Sequence, residues 1–138
     1  MLLELALAEE RPGRLRPRPL AGADRPYRRH FLDLGGLGVR DLLRDGDDLL
    51  VLAGPTMDLD GPVRVLRWRD ALAAGADSLT DAEDLALVLE VPFGRGDDHA
   101  EAMALLPDGR LLVVYDSPTA DRLVGETAVL ADLFTLAR

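Results

Sequence analysis

Residues 45–53 (Asp-Gly-Asp-Asp-Leu-Leu-Val-Leu-Ala) decide the fold, because they join a glycine turn to an apolar run of strand length. Residues 39–44 precede the turn, and a Gly-containing turn between two apolar runs predicts a β-hairpin. The same pattern returns 63 residues later, at residues 108–115 (Asp-Gly-Arg-Leu-Leu-Val-Val-Tyr). Pro-Thr follows both hairpins at the same spacing, at 55–56 and 118–119. The chain therefore contains two copies of one hairpin unit, which indicates a repeated all-β architecture.

Other apolar segments of strand length follow the two hairpins. Residues 63–68 alternate in polarity and predict a strand, and residues 85–91 predict another. The insertion at 69–84 separates these two strands, and we predict one helical turn near 71–74. Residues 129–136 fit helical spacing, but they occupy the place of 63–68 in the repeat. The repeat therefore favours a strand there.

Composition excludes several classes of function. The 138 residues carry 25 acids and 16 bases, a net charge of -9, so the overall field repels phosphate and argues against general nucleic-acid binding. The absence of cysteine excludes disulfides, thiolate metal sites and a cysteine nucleophile. Two histidines exclude a site built from three imidazoles of one chain. No stretch approaches the ~20 apolar residues of a membrane span, and the start lacks a signal-peptide pattern, so we expect a cytoplasmic protein without membrane contact.

The basic residues are concentrated near the beginning of the chain. Residues 11–29 contain seven Arg, four Pro and one Asp, whereas acids predominate from residue 30 onward. The prolines exclude a helix or a central strand in this stretch. We predict an exposed loop over 11–27 whose arginines pair with the acidic body. The alternative is an Arg-rich adaptor for acidic partners.

Several longer runs carry a family resemblance. Residues 31–42 (Phe-Leu-Asp-Leu-Gly-Gly-Leu-Gly-Val-Arg-Asp-Leu), 50–62 (Leu-Val-Leu-Ala-Gly-Pro-Thr-Met-Asp-Leu-Asp-Gly-Pro) and 92–101 (Pro-Phe-Gly-Arg-Gly-Asp-Asp-His-Ala-Glu) resemble the bacterial family catalogued as domain of unknown function 3616. The resemblance extends over residues 28–136 and implies a β-propeller fold. Members of that family are considerably longer than this chain. The resemblance therefore implies that these residues are the C-terminal part of a larger propeller.

On this basis the predicted fold is all-β, a partial β-propeller of about two four-stranded antiparallel blades in a single incomplete segment, 1–138. The first predicted part, 1–34, contains the outer strands (2–8 and 29–33) of one blade and the loop 11–27. The second part, 35–92, is a complete blade with the insertion 69–84. The third part, 93–138, is a last blade that lacks one strand. Such a piece exposes blade edges and faces. The expected partners are therefore the missing N-terminal blades, or further copies that associate through the exposed edges.

The best candidate site residues lie in a loop directly before a predicted inner strand. Asp97, Asp98, His99 and Glu101 follow a Gly-Arg-Gly turn, and such a loop lies near the central channel of a propeller. Carboxylates with an imidazole suit a divalent cation such as Ca²⁺ or Mg²⁺. Arg40 aligns with Glu101 in the repeat, so an ion pair between the two is an equal alternative. A loop capped by its own Asp side chains is the third interpretation.

No complete catalytic constellation is visible, so the sequence favours a binding or scaffold module. The alternative is a metal-dependent hydrolase of the esterase, lactonase or phytase type, in which the loop acids and His99 hold a cation that polarises the substrate. His30 lies among arginines and is predicted to be a surface or edge-strand residue.

Overall fold

The apolar runs beside the glycine turns form strands, and the chain is all-β in a computed structural model that describes residues 1–22, 25–56, 59–73, 75–92 and 98–136. The strands are β1 (Leu2–Arg11), β2 (Arg14–Arg18), β3 (Tyr27–Leu32), β4 (Gly38–Asp45), β5 (Asp48–Gly54), β6 (Val63–Trp68), β7 (Ser78–Thr80), β8 (Leu85–Val91), β9 (Ala100–Leu105), β10 (Arg110–Tyr115), β11 (Leu123–Val124), β12 (Ala128–Val129) and β13 (Asp132–Thr135). Single 3-10 turns lie at Ala71–Ala73, Ala82–Asp84 and Ala120–Arg122. Among these residues, no helix is long and apolar enough to cross a membrane.

The middle sheet has the order β4-β5-β6-β8, with every neighbouring pair antiparallel. These are the four strands predicted within residues 35–92. Gly46 joins β4 to β5 with a φ of +66°, and Gly109 joins β9 to β10 with a φ of +82°. Both conformations favour glycine because a Cβ is strained there. Both predicted hairpins are thus confirmed.

The middle sheet is covered on both faces because its two central strands alternate between two cores. Leu50 and Leu52 of β5, with Val63 and Val65 of β6, pack against residues of β9 and β10. The opposite face of the same strands packs against the first sheet and its neighbouring segments, through Val51, Ala53, Leu66 and Trp68. The uninterrupted run of apolar side chains at positions 49–53 of β5 is therefore explained by burial on both faces.

The first sheet differs from the predicted pair of outer strands. Its order is β2-β1-β3-β7, so it has four strands. The predicted loop 11–27 was wrong in part, because β2 pairs with β1 and places Pro17 opposite Leu7 at the sheet edge. An edge strand tolerates proline, which lacks only the amide hydrogen. The insertion 69–84 also supplies β7, which runs parallel to β3, in addition to the predicted helical turn at Ala71–Ala73.

The third sheet has the order β13-β10-β9. The predicted strand 129–136 is shorter than expected, since β13 covers only Asp132–Thr135. Val129 belongs instead to β12, which pairs with β11 in a separate two-stranded hairpin. The helical spacing of this segment does not give a helix, because β13 completes the ladder along β10.

Candidate functional site

Strand β4 of the middle sheet contacts strand β9 of the third sheet, and two predicted site residues, Arg40 and Glu101, lie at this contact. The Arg40 guanidinium on β4 forms an ion pair with the Glu101 carboxylate on β9, and it also donates to the carbonyl of Pro55. One residue further along β4, the Asp41 carboxylate accepts a hydrogen bond of 2.7 Å from the amide of Met103. The ion-pair alternative for Arg40 and Glu101 is therefore present. These contacts fix the two sheets relative to each other.

Asp98 is the most strongly held of the predicted loop acids. Its side chain is 6% exposed, and Nε of Arg122 donates to both of its oxygens, at 2.9 and 3.0 Å. The amide of Thr119 lies 3.4 Å from Oδ1. A buried carboxylate is stable only when it is paired or hydrogen-bonded. Arg122 therefore provides the charge that allows Asp98 to be ionised inside the protein.

The same arginine continues the network to the third sheet. Arg122 Nη2 donates to Asp132 at 3.1 Å, and its guanidinium carbon lies 3.6 Å from the ring centroid of Tyr115. The Tyr115 hydroxyl donates to Asp132 at 2.7 Å. Burial raises the pKa of Tyr115, and the bond to Asp132 raises it further. Burial works to raise the pKa of Asp132 as well, but the hydrogen bonds from Arg122 and Tyr115 outweigh it and hold that pKa below its usual value.

Of the two remaining loop residues, His99 is described by the structure and does not join these two groups. His99 is 6% exposed, and its Nε2 has no hydrogen-bond partner among the described residues. Asp97 lies outside the described residues. In the described ranges no three His, Asp or Glu side chains come together in a way that could hold a metal ion. Asp98 and Glu101 are each bound to an arginine, and a cation held by Asp97, Asp98, His99 and Glu101 stays a prediction.

The sequence predicted the wrong environment for one residue whose side chain could take part in a reaction. His30 was predicted at the surface or on an edge strand, and this was wrong: it is 4% exposed, on β3 between β1 and β7. Its ring nitrogens lie 2.8 Å from Ser78 Oγ and 3.2 Å from Glu4 Oε2. The sequence of β3 carries no polarity signal for this burial, because its two buried positions are the polar Arg28 and His30 while Phe31 is exposed. The pairing with Ser78 had no local signal, because it depends on a parallel strand from a distant insertion.

The low pKa of Asp132 predicts a pH-dependent effect of its substitution. A group whose folded pKa is depressed contributes stability above its unfolded pKa, and loses that contribution as the pH falls through the folded value. Asp132→Asn should therefore lower the melting temperature at pH 7, and the difference from wild type should shrink below about pH 4. Thermal unfolding across this range, with Asp116→Asn as an exposed control, measures it. A difference that stays constant with pH would contradict the assignment.

The comparisons with known proteins connect the chain to one family. No curated protein and no solved structure matches the chain significantly. The family model described as "Protein of unknown function (DUF3616)" matches residues 1–132, which is nearly the whole chain. Since that match includes the paired hairpins as well as the Arg40–Glu101 and Asp98–Arg122 contacts, the chain belongs to this DUF3616 family.

Proposed function

We propose that this chain is a segment of a β-propeller that serves as a binding or scaffold module, and that further blades of the same propeller cover its two end faces. Three sheets follow one another along the chain, and each packs a face against the next. The inner strands β4 and β9 lie in contact, as neighbouring blades would place them. Propellers have this radial succession of sheets.

The observation that carries the proposal is the exposure of the outward face of the first sheet. Alternate residues of β1 point away from the middle sheet, and β3 and β7 extend this face. Its exposed apolar side chains are Leu3, Leu5, Leu7, Phe31 and Leu79, which are 44–75% exposed. These side chains share the face with Arg29, which lies opposite Leu3 and pairs with Asp77. Exposed apolar groups on one sheet face mark interaction sites.

The third sheet repeats the feature at the other end of the stack. Val114 is 38% exposed and Leu133 is 49% exposed, whereas Leu111 and Val113, on the other face of β10, are fully buried. The internal interfaces of the chain are made of Leu and Val faces of the same type. A sheet of similar composition is therefore the occupant that best matches both ends.

The test uses the absence of cysteine from the chain. Leu5→Cys places a single thiol on the outward face. Leu59→Cys places one on a loop, at a position where the native leucine is 61% exposed. Each substitution is introduced into the otherwise natural protein. Maleimide should modify the thiol at position 5 several-fold more slowly than the thiol at position 59, because a neighbouring blade covers position 5. Equal rates would mean that the face is open and would refute the proposal. If labelling at position 5 is slow and the native mass is that of a dimer, a second copy of the chain covers the face. The proposal of covering blades would then be wrong.

A second candidate function is an adaptor for acidic proteins, and the exposure of β2 favours it. Arg25 and Arg29 pair with Asp77, and Arg28 pairs with Glu4 of β1. Strand β2 is different, because all five of its residues are exposed and its one ion pair among the described residues is Arg14 with neighbouring Glu10. The ribbon of β1 and β2 thus presents Arg14, Arg16 and Arg18 to solvent.

This second function predicts salt-sensitive binding of an acidic polypeptide. Replacing Arg14, Arg16 and Arg18 together by serine should weaken binding of poly-glutamate, measured by fluorescence anisotropy, because the opposite charges are exposed and screened by salt. The matched control replaces three arginines elsewhere, Arg44, Arg69 and Arg110, with the same change in net charge. Equal losses in the two triple variants, or binding undiminished at high salt, would exclude an adaptor ribbon.

A further inference from the structure

Three polar side chains form a continuous hydrogen-bonded chain on the inner face of the first sheet. The strand registers bring them together: His30 on β3 is paired with Ser78 on β7 and with Leu2 on β1, so Glu4 lies two residues further along β1. His30 Nδ1 lies 2.8 Å from Ser78 Oγ, and His30 Nε2 lies 3.2 Å from Glu4 Oε2. Hydroxyl, imidazole and carboxylate are thus arranged in series.

The surroundings of Glu4 decide which nitrogen of His30 carries the proton. Arg28 Nη1 donates to both oxygens of Glu4, at 3.0 and 3.2 Å, so both oxygens act as hydrogen-bond acceptors. A carboxylate only accepts hydrogen bonds, so Nε2 of the neutral imidazole must carry the hydrogen. Nδ1 is then the free acceptor, and the Ser78 hydroxyl donates to it. This tautomer is assigned from the hydrogen-bond network.

His30 is held rigidly, whereas Ser78 is reachable. His30 packs edge-to-face on Trp68, with ring centroids 5.3 Å apart. Ser78 is partly exposed and lies on β7, the edge strand of its sheet. Beside His30 and Glu4 lies a cavity of about 130 Å³ whose lining includes Leu42, Leu49 and Trp68. The cavity therefore lies at the Glu4 and His30 end of this chain of hydrogen bonds, whereas Ser78, which does not line it, is reached from the edge of the sheet.

We propose that Ser78 is an activated nucleophile that accepts the acyl group of a small uncharged ester, an activity beyond the proposed binding function. His30 is the general base and Glu4 is the positioning residue that fixes its tautomer. Such a constellation is recognised by geometry, without a required sequence order. The two ring nitrogens exchange the roles they have in the common serine–histidine–acid triad: Nδ1 of His30 faces the serine and Nε2 faces the carboxylate. Asp77-Ser78-Leu79 contains no nucleophile-elbow motif, so this constellation could not be found from a sequence pattern.

His30 accepts and returns the proton in both halves of the reaction. Ser78 Oγ forms a bond to the acyl carbon while its proton moves to Nδ1, and the ester C–O bond then breaks as the alcohol leaves with that proton. Water next attacks the acyl group and gives a proton to Nδ1. Ser78 Oγ leaves and recovers the proton, so the carboxylic acid is released and the starting state returns.

The test exploits the fact that the chain has only two serines, Ser78 and Ser117. A fluorophosphonate probe forms an Oγ–P bond and releases fluoride, and mass spectrometry of the two peptides measures each serine separately. Ser117 lies on an exposed turn and is the internal control. General-base assistance is worth about 100-fold or more, so Ser78 should react at least that much faster than Ser117 in the folded protein. Equal rates at the two serines would overturn the proposal.

Three variants separate activation from mere accessibility. Ser78→Ala should abolish both the labelling at this peptide and the hydrolysis of p-nitrophenyl butyrate. Glu4→Gln should slow labelling of Ser78 and leave Ser117 unchanged, because an amide no longer imposes the tautomer; Glu4→Asp should recover part of the rate. Circular dichroism establishes that each variant is folded. Undiminished labelling in folded Glu4→Gln would remove Glu4 from the mechanism and refute the constellation.

Discussion

Replacing Arg122 by alanine is expected to lower the free energy of unfolding by about 3–5 kcal/mol, which is the usual cost of leaving a buried charge without its partner. The Asp98 side chain is 6% exposed and receives two hydrogen bonds from Arg122 Nε. After the substitution, the donor that remains to it in the described part of the chain is the Thr119 amide at 3.4 Å. The variant also loses the cation over the Tyr115 ring. Urea unfolding followed by fluorescence measures the change.

A matched control is Arg110→Ala. Arg110 pairs with Asp108, but both side chains are about half exposed, so water solvates them when the pair is broken. Its stability should therefore stay close to that of wild type. Adding Asp98→Asn to Arg122→Ala removes the unpaired charge and should restore part of the loss. If Arg110→Ala and Arg122→Ala cost the same, Asp98 is not a buried charge that depends on Arg122.

Leu52→Ala is the second large effect, with an expected loss of about 2–5 kcal/mol in the free energy of unfolding. Leu52 is fully buried in the core between the middle and third sheets. Truncation removes apolar contacts and leaves a cavity that two packed sheets cannot close. Denaturant titration gives the value, and an unchanged slope with denaturant indicates that the extent of unfolding is the same.

The control for this position is Leu87→Ala on β8. Leu87 is 56% exposed, so its truncation leaves no enclosed cavity and should change stability by about 0.5 kcal/mol or less. The contrast tests the internal sheet-on-sheet interface directly. Similar losses at Leu52 and Leu87 would mean that the middle and third sheets do not pack together as described.

Much of the fold was predictable where the signal is local. The hairpins of the middle and third sheets follow from the apolar runs and from the turns at Gly46 and Gly109, whose left-handed conformations need glycine. The alignment of Arg40 with Glu101 came from the repeat, and the two side chains do meet. In both cases the residues that matter are close in sequence or related by the repeated spacing.

The parts that were missed depend on contacts between distant segments. Strand β7 is three residues long and exists as a partner for β3, nearly fifty residues earlier in the chain. Strand β2 carries a proline, which indicates a loop unless the strand is known to lie at an edge. His30 was misplaced because its environment is created by β7 and Trp68, neither of which is near it in sequence.

The sequence by itself determined an acidic, cysteine-free, all-β chain with two hairpins of one pattern, because composition, glycine turns and alternation are local properties. Only the tertiary structure decided which arginine neutralises the buried Asp98, namely Arg122, and which one pairs with Glu4, namely Arg28. The physical reason is that a buried carboxylate needs a cation within a few ångströms. Which arginine supplies it depends on how the sheets pack, and no spacing along the chain encodes that.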